Sequence, residues 1–352
     1  MLEQIKVLVV DDSAFMRKSL GLLLESDPKI KVIGTATDGL IAVEKVKKLK
    51  PDIVTLDIEM PNMDGLAALE RIMKECPVPV IMVSSLTIEG ADVTIKALEL
   101  GAVDFIPKEM SFVSVAITGI KEELVGKVKA ICKSKKVLTK VNVVNSSSKP
   151  VGTKRSVLKL PAKQYRALAI GISTGGPISL QKVVPLLSSN LRMPVFIVQH
   201  MPPKFTASLA ERLDNLSSLE VKEAEDGEVV RNGVVYIAPG GFHMLVKKDK
   251  LNNNIIGISN LPSDVLHKPS VDVMLQSVQD IYGKNMLGVI MTGMGKDGLE
   301  GIKRLKASGG HCIAQNEETC VVYGMPRAIV DNGLADIVAS LEDIPKLINQ
   351  AI

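Results

Sequence analysis

The sequence predicts an α/β protein made of two doubly wound parallel-sheet domains. Three observations predict it. Residues 1–133 alternate five apolar strand-like runs with five helical patterns, residues 166–352 start a second alternation of the same kind, and the stretch 134–165 between them breaks the pattern. Alternation of this sort buries a parallel sheet between helices on both faces. A chain of 352 residues is long enough to build two separate cores.

In the first domain the strand-like runs lie near 5–10, 30–36, 52–57, 79–84 and 103–106. The spacing predicts helices near 14–26, 38–49, 64–75, 88–100 and 110–133. Gly65 after Asp64, and Gly101 before Ala102, fall where turns are required. The 134–165 stretch holds Ser146 to Ser148, Pro150, Gly152, Pro161 and only basic charge, the make-up of a solvated linker. The same charge would also suit a docking strip for an acidic surface. In the second domain strands are predicted at 167–172, 194–199, 233–238, 286–291, 311–314 and 334–338. Helices are predicted near 176–188, 203–215, 270–283, 298–308, 325–332 and 342–351, with a β-hairpin over 242–259 turning at Asn252 to Asn254.

The net charge of +4 is unevenly spread: −3 over residues 1–134, +8 over 135–165 and −1 over 166–352. The basic excess therefore sits in one short segment, and neither domain has the footprint of a nucleic-acid binder. Aromatic residues make up 3% of the chain and Trp is absent, which argues against a base-stacking surface. Cys76, Cys132, Cys312 and Cys320 form no C-x-x-C pair and read as reduced thiols. No signal-peptide pattern opens the sequence and no apolar run is long enough to span a bilayer, so a cytoplasmic protein without membrane insertion is expected.

Chemistry-bearing residues cluster at predicted strand ends. Asp11 and Asp12 close the run Val7–Val10, and Asp57 closes Ile53–Leu56. In an open α/β sheet, ligands bind at the C-terminal strand ends. Three carboxylates at one edge repel each other unless a cation lies between them, and hard oxygen donors of this kind suit Mg²⁺. An alternative for Asp12, just ahead of Ser13 and a helix, is an N-cap. Ser84 ends the fourth strand, and Lys108 follows the fifth strand, Asp104-Phe105-Ile106-Pro107.

Over residues 1–125 this constellation resembles the response-regulator receiver domain, a flavodoxin-like five-stranded fold. The resemblance implies that Asp57 is the phosphoacceptor and that Asp11, Asp12 and Asp57 hold Mg²⁺. It further implies that Lys108 pairs with the phosphoryl oxygens, that the Ser84 hydroxyl moves toward them and that Phe105 follows inward. One departure is that Glu109, where the family usually has proline, follows Lys108. A cis bond there would be costly without proline.

In the second domain Gly171-Ile172-Ser173-Thr174-Gly175 fits the G-x-S-x-G nucleophile elbow. Small residues allow a tight strand-to-helix turn, and the helix N-terminus offers N–H groups to an anion. A dinucleotide loop would need an acid at the end of the next strand, but that strand ends Gln199-His200. His200 is thus the candidate base. Asp297, in the glycine-rich loop Thr292–Gly298, is the candidate carboxylate. Its alternative is an N-cap, and Asp272 competes for the same role from the start of a helix. His243, His267 and His311 read as ordinary turn or core residues.

Residues 166–352 resemble the catalytic domain of the CheB family, the chemotaxis protein-glutamate methylesterases. The stretches that carry the resemblance are Ser173-Thr174-Gly175-Gly176, Gln199-His200-Met201-Pro202, Ala238-Pro239-Gly240-Gly241, Lys268-Pro269-Ser270-Val271-Asp272 and Thr292–Gly298. Ile172 stands where the family commonly has a smaller residue. The resemblance implies a Rossmann-like fold, a Ser173–His200–Asp297 triad and an oxyanion donor at the Met294 N–H. It implies hydrolysis of γ-glutamyl methyl esters on methyl-accepting chemoreceptors, with deamidation of certain glutamines, and no cofactor for the hydrolysis. The implied phosphodonor is the histidine kinase of the chemotaxis pathway, and the expected state is a monomer. Two other classes are a DNA-binding output domain, which lacks a basic recognition helix, and an inactive receptor-binding adaptor, against which the intact serine, histidine and aspartate argue.

Overall fold

Four N-terminal helices of the chain start at residues chosen by cap chemistry. Ser13, Asp38, Asp64 and Thr87 each accept a backbone N–H from three residues on. Ser13, rather than Asp12, caps the first helix, which leaves the Asp12 carboxylate exposed. The computed structural model describes residues 4–108, 117–134, 160 and 165–351. Most of the expected linker, and the Lys108–Glu109 bond, lie outside the described residues. The chain divides into two compact units, Met1–Ser148 and Lys149–Ile352.

The first unit runs β1 (Ile5–Val10), α1 (Ala14–Glu25), β2 (Ile30–Ala36), α2 (Gly39–Leu49), β3 (Ile53–Asp57), α3 (Gly65–Glu75), β4 (Val80–Ser85), α4 (Ile88–Glu99), β5 (Asp104–Lys108) and α5 (Ile117–Lys133). Its sheet is wholly parallel in the order β2-β1-β3-β4-β5. This is the flavodoxin-like order, whose direction reverses between β1 and β3. Val7 to Val10 are completely buried, as a strand covered on both faces requires.

The second unit continues with β6 (Ala167–Ile172), α6 (Gly176–Val183), β7 (Val195–Gln199), α7 (Phe205–Leu216), β8 (Glu220–Glu223), β9 (Val234–Ile237), β10 (His243–Lys248), β11 (Asn254–Ser259), α8 (Val271–Tyr282), β12 (Met286–Ile290), α9 (Leu299–Ala307), β13 (His311–Gln315), α10 (Met325–Asp331), β14 (Ile337–Ala339) and α11 (Ile344–Asn349). Seven parallel strands lie in the order β14-β13-β12-β6-β7-β9-β8. The order is that of a Rossmann sheet with an added edge strand, and its switch point falls between β6 and β12. The expected hairpin is present as antiparallel β10 and β11. Helix α6 gives way at Val183 to a 3-10 turn, Val184–Leu186, because Pro185 cannot continue the helical ladder. Among the described residues no helix is long and apolar enough to cross a membrane.

Candidate active site

At the β1/β3 switch point, carboxylate oxygens of Asp11, Asp12 and Asp57 all lie within 4.8 Å of one another. Lys108, at the end of β5, reaches across the edge: its Nζ is 2.6 Å from Asp57 Oδ2 and 3.0 Å from Asp11 Oδ2. Burial pushes the Asp57 carboxyl up to about 6, against the pull of Lys108 and with help from the Asp11 charge. Burial also works against the Lys108 charge, but the two carboxylates outweigh it and hold its pKa above the ordinary value. Asp11 Oδ2 and Asp57 Oδ2 are buried and accept no hydrogen bond beyond these ion pairs. Three clustered carboxylates, only partly neutralised by the one ammonium, fit a hard divalent cation.

The other expected switch residues lie beside this pocket. The Ser84 hydroxyl donates to the Gly90 carbonyl at 3.1 Å and receives the Thr94 hydroxyl at 2.7 Å, so it is turned toward α4. Phe105 is only 3% exposed and is already inward. Lys127 of α5 fastens that strand, with its Nζ 2.8 Å from the Phe105 carbonyl, 3.2 Å from Asp104 and 5.6 Å from the Phe105 ring centre.

In the second unit, Ser173 follows β6 and His200 follows β7. The residues just before them, Ile172 and Gln199, are register partners on the two neighbouring strands. The serine turn is clamped from both sides. Thr292, after β12, accepts the Ser173 N–H at 2.9 Å and donates its hydroxyl to the Thr174 carbonyl at 2.9 Å. The Gln199 amide donates to the Ser173 carbonyl at 3.1 Å. That approach needs glycine at 176, where a Cβ would lie 1.8 Å from Gln199 Oε1. Ile172 is fully buried in β6.

His200 Nε2 lies 2.8 Å from Asp297 Oδ2. Asp297 also accepts N–H groups from Val271 at 2.7 Å, Asp272 at 3.0 Å and Gly298 at 3.0 Å, and the Ser270 hydroxyl at 3.1 Å. Burial alone would raise its pKa, but His200 and the N–H donors outweigh burial and hold the carboxyl far below the usual carboxylate range. An ionised Asp297 can only accept, so Nε2 carries a proton, and in the neutral ring the lone pair is on Nδ1. Nδ1 is buried and meets no hydrogen-bond partner among the described residues, the Ser173 hydroxyl included.

The N-cap alternative for Asp297 has an unexpected resolution. Gly298 occupies the cap position of α9, while the Asp297 side chain serves the first N–H groups of α8. Asp272, in the first turn of α8, accepts in exchange the Gly301 N–H of α9 at 2.7 Å. Burial pushes Asp272 up to about 6, with the Asp297 charge adding to it. Asp272 thus latches the helix pair and does not touch His200.

Met294 follows Gly293, whose own N–H and carbonyl are held by Val322, Gly324 and Met325 at 2.9–3.0 Å. The Met294 N–H engages no group among the described residues. A Cβ at 293 would lie 2.8 Å from the Ser173 Cβ. Gly293→Ala is therefore expected to shift the serine and lower kcat by about 100-fold, the scale of a sub-ångström to ångström misplacement. Steady-state ester hydrolysis, with circular dichroism as a control for folding, checks this.

Two histidines that the sequence left as ordinary belong to this site. His243 is fully buried, accepts the Ser270 N–H on Nδ1 at 3.2 Å and donates from Nε2 to the Pro262 carbonyl at 3.1 Å. The His267 ring stacks on His200, with ring centres 4.2 Å apart and planes 22° apart. Neither could be found from spacing, because His243 opens β10 and His267 lies in the loop before α8, and neither stands at the C-terminal end of a strand. His311 remains an ordinary residue, bonded to the Tyr165 hydroxyl at 2.9 Å.

By class, a parallel α/β unit with serine, histidine and aspartate along the C-terminal edge of its sheet has the make-up of a serine hydrolase. The preceding unit, with its lysine-bridged acidic pocket, has that of a phosphorylation switch. The response regulator receiver domain family model matches residues 7–116, and the CheB methylesterase family model matches residues 168–348. The chain belongs to the CheB methylesterase family. It is 47% identical to protein-glutamate methylesterase/protein-glutamine glutaminase 1 of Oleidesulfovibrio alaskensis, over 99% of both chains. It is 46% identical to the protein-glutamate methylesterase/protein-glutamine glutaminase of Pyrococcus horikoshii, over 99% of this chain and 94% of that one. The crystal structure of the Thermotoga maritima CheB methylesterase catalytic domain matches with a TM-score of 0.52 at 44% identity, covering 54% of this chain and 100% of that one.

Proposed function

We propose that this protein is a phosphorylation-activated esterase that removes methyl groups from γ-glutamyl methyl esters of chemoreceptors, and that Ser173, His200 and Asp297 carry the chemistry. The observation that supports these roles most directly is the His200–Asp297 pair, which leaves Nδ1 without a hydrogen-bond partner among the described residues, on a residue whose backbone N–H bonds the Ile172 carbonyl next to Ser173. In the proposed reaction Nδ1 takes the Ser173 proton as Oγ attacks the ester carbonyl. Asp297 stabilises the resulting imidazolium through Nε2–H. The Met294 N–H donates to the carbonyl oxygen as it becomes an oxyanion. Nδ1–H then protonates the departing methoxide, giving methanol and an acyl-Ser173. Water, deprotonated by Nδ1, attacks the acyl carbon and releases the free glutamate and the serine. A glutamine amide follows the same path with ammonia as the leaving group. No cofactor is required for these steps.

In the receiver unit we assign Asp57 as the phosphoacceptor, with Asp11, Asp12 and Asp57 as the ligands of a Mg²⁺ ion. When bound, that ion offsets the negative charge that accumulates on phosphorylation. Lys108 already spans Asp11 and Asp57 and is placed to pair with phosphoryl oxygens. Ser84 is the group whose hydroxyl would exchange Gly90 for the phosphoryl group, with Phe105 packed behind it. We place the domain limits at 1–133, 134–165 and 166–352, and propose a cytoplasmic monomer that receives its phosphoryl group from a chemotaxis histidine kinase.

The test is methanol release from methylated chemoreceptor membranes, with and without a small phosphodonor and Mg²⁺. Release that rises with the phosphodonor supports the proposal, and no release under either condition overturns it. Asp57→Asn is expected to abolish the rise while leaving the unstimulated rate in place. Stimulation that survives in Asp57→Asn would move the acceptor role to another residue.

A further inference from the structure

We propose that His267 is a positioning residue for the esterase, holding the His200 ring at the one rotation that keeps Nδ1 in place. The inference rests on the reading of His200 as the base. Its starting point is geometric. In a histidine the extension of the Cβ–Cγ bond passes through the middle of the Cε1–Nε2 bond, so Nε2 lies nearer to that axis than Nδ1 does. The bond from Nε2 to Asp297 therefore holds one edge of the ring, and any rotation about Cβ–Cγ that it tolerates moves Nδ1 further than Nε2. That rotation swings Nδ1 through an arc. A flat ring stacked on the imidazole face blocks it, and His267 supplies such a ring at 4.2 Å and 22°. Since Nδ1 has no hydrogen bond of its own among the described residues, the stack restrains this freedom.

The loop that presents His267 is tethered on both sides. The Pro262 carbonyl accepts the His243 Nε2–H at 3.1 Å, and the Lys268 carbonyl accepts the Gly241 N–H at 3.0 Å. His243 in turn receives the Ser270 N–H, and Ser270 donates its hydroxyl to Asp297. The platform beneath His200 and the carboxylate behind it are thus fastened to one framework. The stack has a second consequence. When His200 becomes an imidazolium, an aromatic face beside it is a favourable neighbour for the positive charge.

The test compares His267→Ala, His267→Gln and His267→Phe in the full chain. Two readouts are used: methanol release from methylated receptor membranes, and the rate at which a small fluorophosphonate labels Ser173. Labelling needs an active base but no receptor docking. His267→Ala and His267→Gln are expected to lower both kcat and the labelling rate about five- to tenfold with KM little changed. His267→Phe keeps an aromatic face and should recover most of the rate. Gln retains bulk and polarity, so it decides the matter if Ala loosens the loop. The proposal is overturned if all three variants label Ser173 at the parent rate, if Phe falls as far as Ala, or if the loss lies wholly in KM. A parent protein that labels at Ser173 but releases no methanol overturns the ester substrate and leaves the positioning role standing. A parent that does not label overturns the base assignment and this role together.

Discussion

Ser173→Ala is expected to lower methanol release by about 10⁴- to 10⁶-fold, the range seen when the nucleophile of a serine triad is removed. Nothing else in the described surroundings supplies a replacement. The turn that carries Ser173 is pinned by Thr292 on one side and by Gln199 on the other, so a neighbouring hydroxyl cannot be brought into register without breaking both clamps. The variant should fold normally, since alanine fits the same turn and the clamps act on backbone atoms. Methanol release and a thermal melt, measured side by side, check both halves of the expectation. A variant that keeps more than about one per cent of the parent rate would show that the serine is not the nucleophile.

Asp297→Asn carries the second-largest expected effect, about 10⁴-fold in kcat, through the tautomer of His200. Asparagine has one acceptor oxygen where aspartate has two. Its NH₂ group must take the place either of Oδ2, which serves His200 and the Val271 N–H, or of Oδ1, which serves the N–H groups of Asp272 and Gly298 and the Ser270 hydroxyl. If it faces His200, Nε2 becomes the acceptor and the proton moves to Nδ1, which removes the base. If it replaces Oδ1, the N–H groups of Asp272 and Gly298 lose their partner and stability falls. The pH dependence separates this from a purely catalytic loss. Because the folded-state pKa of Asp297 lies below the unfolded value, its contribution to stability is present above about pH 4 and is lost as pH falls from there through the folded value. The gap in unfolding temperature between parent and variant should therefore be widest near neutrality and shrink below about pH 4. A gap independent of pH would count against an ionised Asp297.

Much of this was legible in the sequence where a strand signal and a chemical signal coincided. Asp11, Asp57, Ser173 and His200 each stand at or just after the last residue of a continuous apolar run, so the pattern that placed the strand also placed the group. Asp297 was half legible. Its loop was evident from three glycines, but its choice between capping and pairing depended on α8, which is distant in sequence. β8 escaped detection because it is an edge strand of four residues, Glu-Val-Lys-Glu, with only Val221 fully buried. Without alternation against a core, such a segment has no periodic signature. His243 and His267 were invisible for a related reason. Their roles arise from the first residue of the β10–β11 hairpin and from the loop after it, and no local spacing encodes what either of them meets.

The exchange between α8 and α9, in which each helix start is served by an acid belonging to the other, ties durability to chemistry. The same carboxylate that holds the His200 imidazole also fastens two helix ends, so thermal loosening of either helix would free that imidazole at the same moment. Heat inactivation and local melting in this region should therefore coincide, with no interval in which a softened yet competent enzyme persists.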